Sequence, residues 1–328
     1  MNIFKVLASV AVISITAINA LPAEAAKIRV GYWSSGVSLG FGSFLESGKF
    51  MEKQGLDVEF VKFPDVNAPT KAMAAGAIDF AIGASAGSAF AAASSGLPMS
   101  IVLATQVADL DFVAPADSTI NSMADLKGKK IGMSPAGSAT AAITAAILAS
   151  NYDIKAADYE IVPGNDTRLA QFLAQGQIDA AALRTVTIAL LPDMKLKTLG
   201  TFREEWKKVT GADAPPVLGV GLMRNAWMDE NPDAPAKVVA AMRNAYEAGK
   251  ADKAGVAKAL MDFANIKEAD ARAYAALWDG IYTVDMSPAT IASLKAEFEV
   301  FKGVDVVKGT LPDAALVSAP FEASKSIK

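Results

Sequence analysis

Cysteine and histidine are both absent from the 328 residues. That excludes disulfides, a thiolate nucleophile, zinc sites of the Cys/His type, a Ser-His-Asp triad and an imidazole base. Charge of one sign is not in excess. The 31 Lys+Arg stand against 35 Asp+Glu, a net charge of -4, so nothing recommends nucleic acid or an anionic membrane surface as a partner. Nucleotide loops are missing too. The glycines of 36–42 fit neither G-x-G-x-x-G nor a P-loop, and Gly48-Lys49 lacks the upstream glycine and the following Ser/Thr. No cofactor and no metal site is implied.

Long apolar runs are confined to the start. Lys5, the uncharged stretch Val6 to Ile18, Leu21-Pro22 and Ala23-Glu24-Ala25-Ala26 follow the order of a secretory signal peptide. The apolar stretch is shorter than the roughly 20 residues that span a bilayer. Cleavage is expected near Ala25 or Ala26, with an uncleaved anchor as the alternative. No lipid-bearing cysteine follows, which places the mature chain free in a periplasm. A remainder of about 300 residues exceeds one ordinary domain, and a core of that size holds without disulfides.

What is present is alternation. Short apolar, β-branched runs at Ile28–Trp33, Val58–Phe63, Ile78–Gly83 and Ser100–Thr105 are separated by helical-length segments at Phe41–Gln54, Ala68–Ala75 and Ser88–Ser95. Gly55, Gly76 and Gly96 follow those segments, where a helix C-cap needs a left-handed residue. The spacing predicts parallel strands joined by helices. The series recurs at Lys130–Met133, Ser138–Ser150, Tyr159–Val162, Thr167–Gln175, Ile178–Leu183, Val186–Leu191 and Leu196–Leu199. Met73 to Ala81 and Leu173 to Ala181 are identical at five of nine positions, with Gly76/Gly176 and Asp79/Asp179 100 residues apart.

This predicts two Rossmann-like α/β lobes joined by a two-crossing hinge, with crossings near Gln106–Ala114 and Pro215–Arg224. The lobe boundaries follow as 27–108 plus 219–328 for the first and 109–218 for the second, after a signal peptide at 1–26. From Asn231 onward the pattern reads as helical only. Asn231-Pro232 and Ser287-Pro288 supply helix starts, and Phe263, Tyr274, Leu277 and Trp278 supply core contacts to the first lobe.

Ligands of open α/β sheets bind outside the carboxyl ends of the strands. The first lobe then offers Trp33, Ser34, Ser35, Asp65 and Ser85 to a cleft, and the second offers Ser134, Gly137, Ser138, Asn165 and Arg184. Ser85, Ser88 and Ser138 stand at helix starts, where they cap the helix, help to hold an anion, or both. Arg184 ends an otherwise apolar strand, and its fork suits a carboxylate, sulfonate or phosphate. The alternative is an internal salt bridge to Asp65 or Asp166. Trp33 is a wall for an apolar ligand part or a core residue. Asp79 and Asp179 tempt an acid/base reading, but their equivalence in the repeat marks them as strand-start residues.

Taken in order, Ile28-Arg-Val-Gly-Tyr-Trp33, Ala72 to Asp79, Leu126-Lys-Gly-Lys-Lys-Ile-Gly132 with Gly137-Ser138, and Leu173 to Asp179 are informative together. On these elements the chain resembles the periplasmic solute-binding proteins of ABC importers in the nitrate, sulfonate and taurine group. The resemblance covers essentially the whole mature chain. It implies a periplasmic binding protein-like fold with C-terminal helices packed on the first lobe. It also implies closure on a small molecule and delivery to a membrane permease driven by an ATPase subunit. Family ligands touch the strand-end loops, which carries over to Ser34, Ser35, Asp65, Ser85, Ser134 and Ser138. Taurine-type members often have an aromatic residue where this chain has Arg184, which favours an organic anion with a strong or additional anionic group.

A related branch makes a thiamine pyrimidine using histidine, which this chain lacks. Relatives that bind pyrimidine or flavin precursors are one alternative, an exported lyase or transferase another, and a sensor subunit that presents its ligand-bound form to a membrane receptor a third. The expectation is a binding protein and not an enzyme, monomeric as suits a hinge that opens freely.

Overall fold

The computed structural model describes residues 25–327. The expected signal peptide lies outside the described residues except for Ala25 and Ala26, and Ala26 already opens the first strand. The first unit runs through β1 (Ala26–Trp33), α1 (Gly36–Ser47), β2 (Leu56–Phe63), α2 (Ala68–Ala74), β3 (Phe80–Ser85), α3 (Ala86–Ser94) and β4 (Met99–Val107). After two residues the chain enters β5 (Leu110–Pro115). There follow β6 (Lys130–Met133), α4 (Ala139–Tyr152), β7 (Glu160–Pro163), α5 (Asp166–Ala174), β8 (Ala180–Arg184), α6 (Thr185–Ala189), β9 (Leu196–Thr201) and α7 (Phe202–Thr210). β10 (Val217–Arg224) returns to the first unit. Then come α8 (Asn225–Glu230), α9 (Ala234–Ala251), α10 (Lys253–Ala264), α11 (Glu268–Ala276), α12 (Trp278–Ile281), β11 (Tyr282–Asp285), α13 (Pro288–Gly303) and α14 (Ala319–Ser324).

Two sheets result, ordered β11-β4-β10-β3-β1-β2 and β7-β6-β8-β5-β9. β1 is parallel to β2 and β3, and β6 is parallel to β7 and β8, as the alternation predicts. The sheets are mixed, however. β10 is antiparallel to β3 and β4, and β5 is antiparallel to β8 and β9. The reason is the double crossing: β5 and β10 each enter their sheet from the hinge and run against the strands built by helical crossovers.

The internal repeat has a physical content. Ile78 packs on Gly31 of β1, where a Cβ would sit 2.6 Å from Ile78 Cδ1. Ile178 packs on Gly132 of β6 in the same way, at 2.5 Å. The following aspartate then binds the start of that neighbouring strand. The Arg29 N–H donates to Asp79 Oδ2 at 3.0 Å, and the Lys130 N–H donates to Asp179 Oδ2 at 2.7 Å. The Gly-x-Ile-Asp signature thus docks the third strand of each lobe onto the first. Asp79 also receives the guanidinium groups of Arg29 and Arg224. Burial pushes its carboxyl up, but bonds from the Arg29 side chain and backbone and from Arg224 outweigh that and hold it below the usual range. Both aspartates lie at strand starts, at the opposite ends from the predicted cleft, which removes the acid/base reading.

Several sequence expectations shift. α1 begins five residues before the predicted Phe41 and stops at Ser47, with a separate 3-10 turn at Glu52–Gln54. Its glycines serve close packing: a Cβ on Gly40 would lie 2.5 Å from the Tyr282 hydroxyl. The region after Asn231 is not purely helical, because β11 pairs with β4 at the sheet edge. Asn231-Pro232 does not start a helix. The Asn231 side chain closes α8 onto the Trp227 carbonyl, and α9 begins at Ala234 with Pro235 in its first turn. Ser287 does cap α13, accepting from the Thr290 N–H. Trp278 and Tyr274 are buried, with Trp278 stacked on Phe41 at 5.4 Å, but Phe263 is 47% exposed and contributes no core.

α9, α10, α12 and α14 pack on the first lobe, while α11 and α13 also reach the second. Phe90 of α3 lies edge-on to Phe298 and Phe301, and Trp206 of α7 meets Phe301. α13 also touches the hinge. The Ala108 N–H donates to the Pro216 carbonyl, tying the two crossings together, and the Val217 N–H donates to Glu297 Oε2 at 2.7 Å. Glu297 is 2% exposed, and its second carboxyl oxygen has no partner. Burial pushes its carboxyl up to about 8, only partly offset by the amide. No helix among the described residues is long and apolar enough to cross a membrane.

The folded chain therefore holds a proton on Glu297 that the unfolded chain releases near the ordinary glutamate value of 4.5. Stability from this site is fully present below that value and is lost as pH rises towards about 8. Glu297→Gln keeps an acceptor for the Val217 amide and cannot ionise. The variant should gain on the parent as pH rises from 5 to 8, by at least about 2 °C in Tm at the upper end. Parallel Tm–pH curves for the two proteins would contradict this.

Candidate ligand site between the lobes

The carboxyl ends of β1, β2 and β3 face those of β6, β7 and β8. Between them lies a small cavity lined by Trp33, Val37, Ser38, Val66, Ser85, Gln106, Ser138, Thr140, Arg184 and Leu218, among others. Its free space is about 10 Å³, close to that of one water. The lobes are closed on each other. The Ala139 N–H, at the start of α4 in the second lobe, donates to Ser85 Oγ of the first at 2.7 Å. Asn67 Nδ2 donates to the Ala136 carbonyl at 3.3 Å beside it.

The serines divide their work in a way local sequence does not show. Ser138 caps its own helix, accepting from the Ala141 N–H at 3.2 Å. Ser85 makes no side-chain cap on α3 and instead serves α4 across the cleft. The first turn of α4, whose amides lack acceptors within the helix and carry a partial positive charge, is thus served from both lobes.

Arg184, at the end of β8, is 4% exposed. Nη1 donates to Asp166 Oδ1 at 2.5 Å, and Thr187 Oγ1 donates to Asp166 Oδ2 at 2.8 Å. Of the two carboxylates weighed as internal partners, Asp166 takes the arginine, while Asp65 is exposed and accepts from the Asn67 N–H. Salt bridging does not exhaust the guanidinium. Its plane stands over Trp33, 5.3 Å from the ring centre, and Nε is buried without a hydrogen-bond partner.

Trp33 is buried and donates to the Pro64 carbonyl at 3.3 Å. Tyr274 and Tyr282 hold the first turn of α1 behind it, donating to the carbonyls of Gly36 and Val37. Burial raises both phenols and keeps them protonated. The other predicted residues spread out. Ser134 is buried; Ser35 is half-buried at the start of α1 without a side-chain cap. Ser34 is exposed at the rim and donates to the Phe63 carbonyl. Gly137 is exposed in the loop before α4, with φ +80. Asn165 is exposed and caps α5 through the Arg168 N–H, outside the cavity lining.

A family model described as NMT1/THI5 like matches residues 46–254. The chain belongs to the NMT1/THI5-like family. No curated protein matches this member by sequence. Three solved structures share its fold. The alkanesulfonate-binding protein SsuA of Xanthomonas axonopodis pv. citri, bound to MOPS, aligns at TM-score 0.72 and 21% identity over 91% of this chain and 98% of that one. The periplasmic aliphatic sulphonate binding protein SsuA of Escherichia coli aligns at 0.71 and 18%, over 89% and 91%. A putative periplasmic sulfonate-binding protein SsuA of Methylobacillus flagellatus KT aligns at 0.67 and 19%, over 92% and 94%. The NMT1/THI5-like chain therefore has the two-lobed periplasmic binding protein fold.

Two polar residues in this family member escaped the sequence reading. Gln106 Nε2 donates to Ser38 Oγ at 3.2 Å, and Ser38 donates to the Gly83 carbonyl at 3.3 Å. Both side chains are buried against the cavity. The available signal was Thr105-Gln106 at the end of the apolar run from Met99, polar residues where burial was expected. The cavity thus gathers an amide, hydroxyls and a partly free guanidinium. The carboxylate nearest the arginine, Asp166, is already engaged.

The cross-lobe bond has a direct readout. Ser85→Ala leaves a buried amide without its acceptor when the lobes close, a loss of about 1–2 kcal/mol, or roughly 5- to 30-fold. Amide hydrogen exchange at Ala139 should accelerate by about that factor, with little change in the middle of α4. Unchanged exchange at Ala139 would mean that the seam does not hold this hydrogen.

Proposed function

We propose that this protein is the periplasmic substrate-binding subunit of an ABC importer that captures a small organic anion, of sulfonate or carboxylate type, and delivers it to a permease with its ATPase subunit. The observation that carries the reading is Arg184: a buried guanidinium at the inter-lobe cavity, with one N–H unpartnered and Trp33 beneath its plane. The amide of Gln106, the hydroxyls of Ser38, Ser138 and Thr140, and the first turn of α4 add donors without a competing anion. Such a set binds an anion and offers no paired acid and base. The structural neighbours, described as alkanesulfonate-binding, aliphatic sulphonate-binding and sulfonate-binding proteins, support the ligand class.

The reading assigns lobe 1 to 27–108 plus 219–328 and lobe 2 to 109–218, after removal of a signal peptide at 1–26. The mature chain works as a monomer in the periplasm. Trp33, Ser34, Ser35, Asp65, Ser85, Ser134, Gly137, Ser138 and Arg184 remain the proposed ligand neighbourhood, now with Ser38 and Gln106. Asn165 acts one step removed, by starting the helix that presents Asp166. A cavity of about 10 Å³ admits no organic anion, so the ligand enters with the lobes apart and is held by contacts to both.

The test is ligand-linked stability. A bound sulfonate or carboxylate at 100 times Kd adds about 2.7 kcal/mol and raises Tm. Arg184→Gln, made together with Asp166→Asn so that no carboxylate is orphaned, should weaken that anion by at least about tenfold. Recovery of the ligand unchanged after incubation distinguishes binding from turnover. A broad anion panel without any Tm shift, or full affinity in the double variant, would contradict the proposal.

A further inference from the structure

Gln106, next to last in β4, lies in a slot that neighbouring strands leave clear for it. A Cβ on Gly83 of β3 would run into its Nε2, and one on Gly219 of β10 would lie 2.6 Å from its Oε1. Gly219 is also its partner across the ladder, and the register between β10 and β4 shifts on both sides of that pair. Irregularities of this kind re-aim a side chain. The amide that results is buried, at 2% exposure, and lines the inner cavity together with Ser38 and Arg184.

Its two ends are not interchangeable. Ser38 has one hydroxyl proton, which goes to the Gly83 carbonyl at 3.3 Å, so towards Gln106 its oxygen can only accept. Nε2 therefore faces Ser38, at 3.2 Å, and Oε1 takes the other side. Oε1 makes no hydrogen bond among the described residues and is not walled off. β3, β4 and β10 belong to one sheet, and Ser38 to the helix packed on it, so this setting persists when the lobes part.

We infer that Gln106 is a specificity-determining residue, and that the ligand is an organic anion carrying a neutral hydrogen-bond donor, such as a hydroxyl or an amide N–H, besides its anionic group. The inference rests on the proposed anion-binding reading and adds a second feature to the same ligand. An apolar end would leave Oε1 unpaired once the lobes close on it, whereas a donor pairs it. An ammonium also donates, but the cavity already holds the Arg184 guanidinium and the positive end of α4. The carboxylate beside it, Asp166, is engaged by Arg184 and Thr187. A neutral donor satisfies Oε1 without adding charge.

The experiment is calorimetric titration of the full mature chain, freed of ligand, with matched sulfonates and carboxylates of increasing chain length, from two carbons to four. Each is used unsubstituted and with a terminal hydroxyl, carboxamide or amine. At the length that fits, a neutral-donor form should bind at least about tenfold more tightly than the unsubstituted form, and the amine no more tightly than the latter. Gln106→Met fills the slot without an oxygen and should bring the ratio of donor-bearing to unsubstituted affinity to within about twofold. A residue that only braces the hinge would weaken both forms together and keep the ratio. Gln106→Glu keeps the shape, adds a negative charge and should turn the preference towards the amine. The comparison within the parent chain stands without either variant. Equal affinities of donor-bearing and unsubstituted forms at every length, a parent that prefers the amine, or a ratio unchanged in Gln106→Met overturns the inference and leaves anion capture standing. If no member of either series binds, the anion-binding reading falls and this inference falls with it.

Discussion

A buried amide at the start of α4 governs how the two lobes meet. The Ala139 N–H cannot be paired within its own helix, and Ser85, on the other lobe, accepts from it at 2.7 Å. The same turn carries the helix's partial positive charge, which attracts an anion. On the proposed function, closure and anion capture draw on the same turn of helix. Arg184 adds to that field from the opposite strand end while Asp166 keeps it compensated, so the closed cavity carries no isolated buried charge. The carboxylate beside the cavity, Asp166, is already engaged by Arg184 and Thr187.

Around that contact the fold supplies a support on each side. Ala108 and Pro216 tie the crossings, and Glu297 fastens the returning strand at Val217. α13 lies against both lobes through Phe298 and Phe301, so the hinge turns beside a helix that is shared and not carried by one side alone. On the first lobe, Tyr274 and Tyr282 brace the first turn of α1, just after Trp33, which links the C-terminal helices to the cavity wall.

Much of this was legible from the sequence because it is local or repeated. The strand–helix alternation, the crossings and the Gly-x-Ile-Asp docking signature are all short-range patterns, and the last is explained by Gly31 with Ile78 and Gly132 with Ile178. The position of Arg184 was also legible, since a guanidinium at the end of an apolar strand demands a partner. What escaped depends on residues far apart in the chain. Ser85 looks like a cap for the helix it precedes, and only the tertiary structure brings it to an amide 54 residues away. Gln106 looked like linker and Ser38 like part of a glycine-rich loop, because their pairing spans 68 residues. β11 was missed because a four-residue edge strand among helices has too short a period to register.

The central claim is that an anion selects the closed arrangement of these lobes. The absence of native cysteine makes the measurement clean, since spin labels attach only where cysteine is introduced. Ala74→Cys and Ala136→Cys place one label on each wall of the seam, at exposed positions. Pulsed electron-spin distance measurement should give a longer or broader distribution in ligand-free protein and a single short distance once a stabilising sulfonate or carboxylate is saturating. An identical distribution with and without an anion that binds would contradict the account.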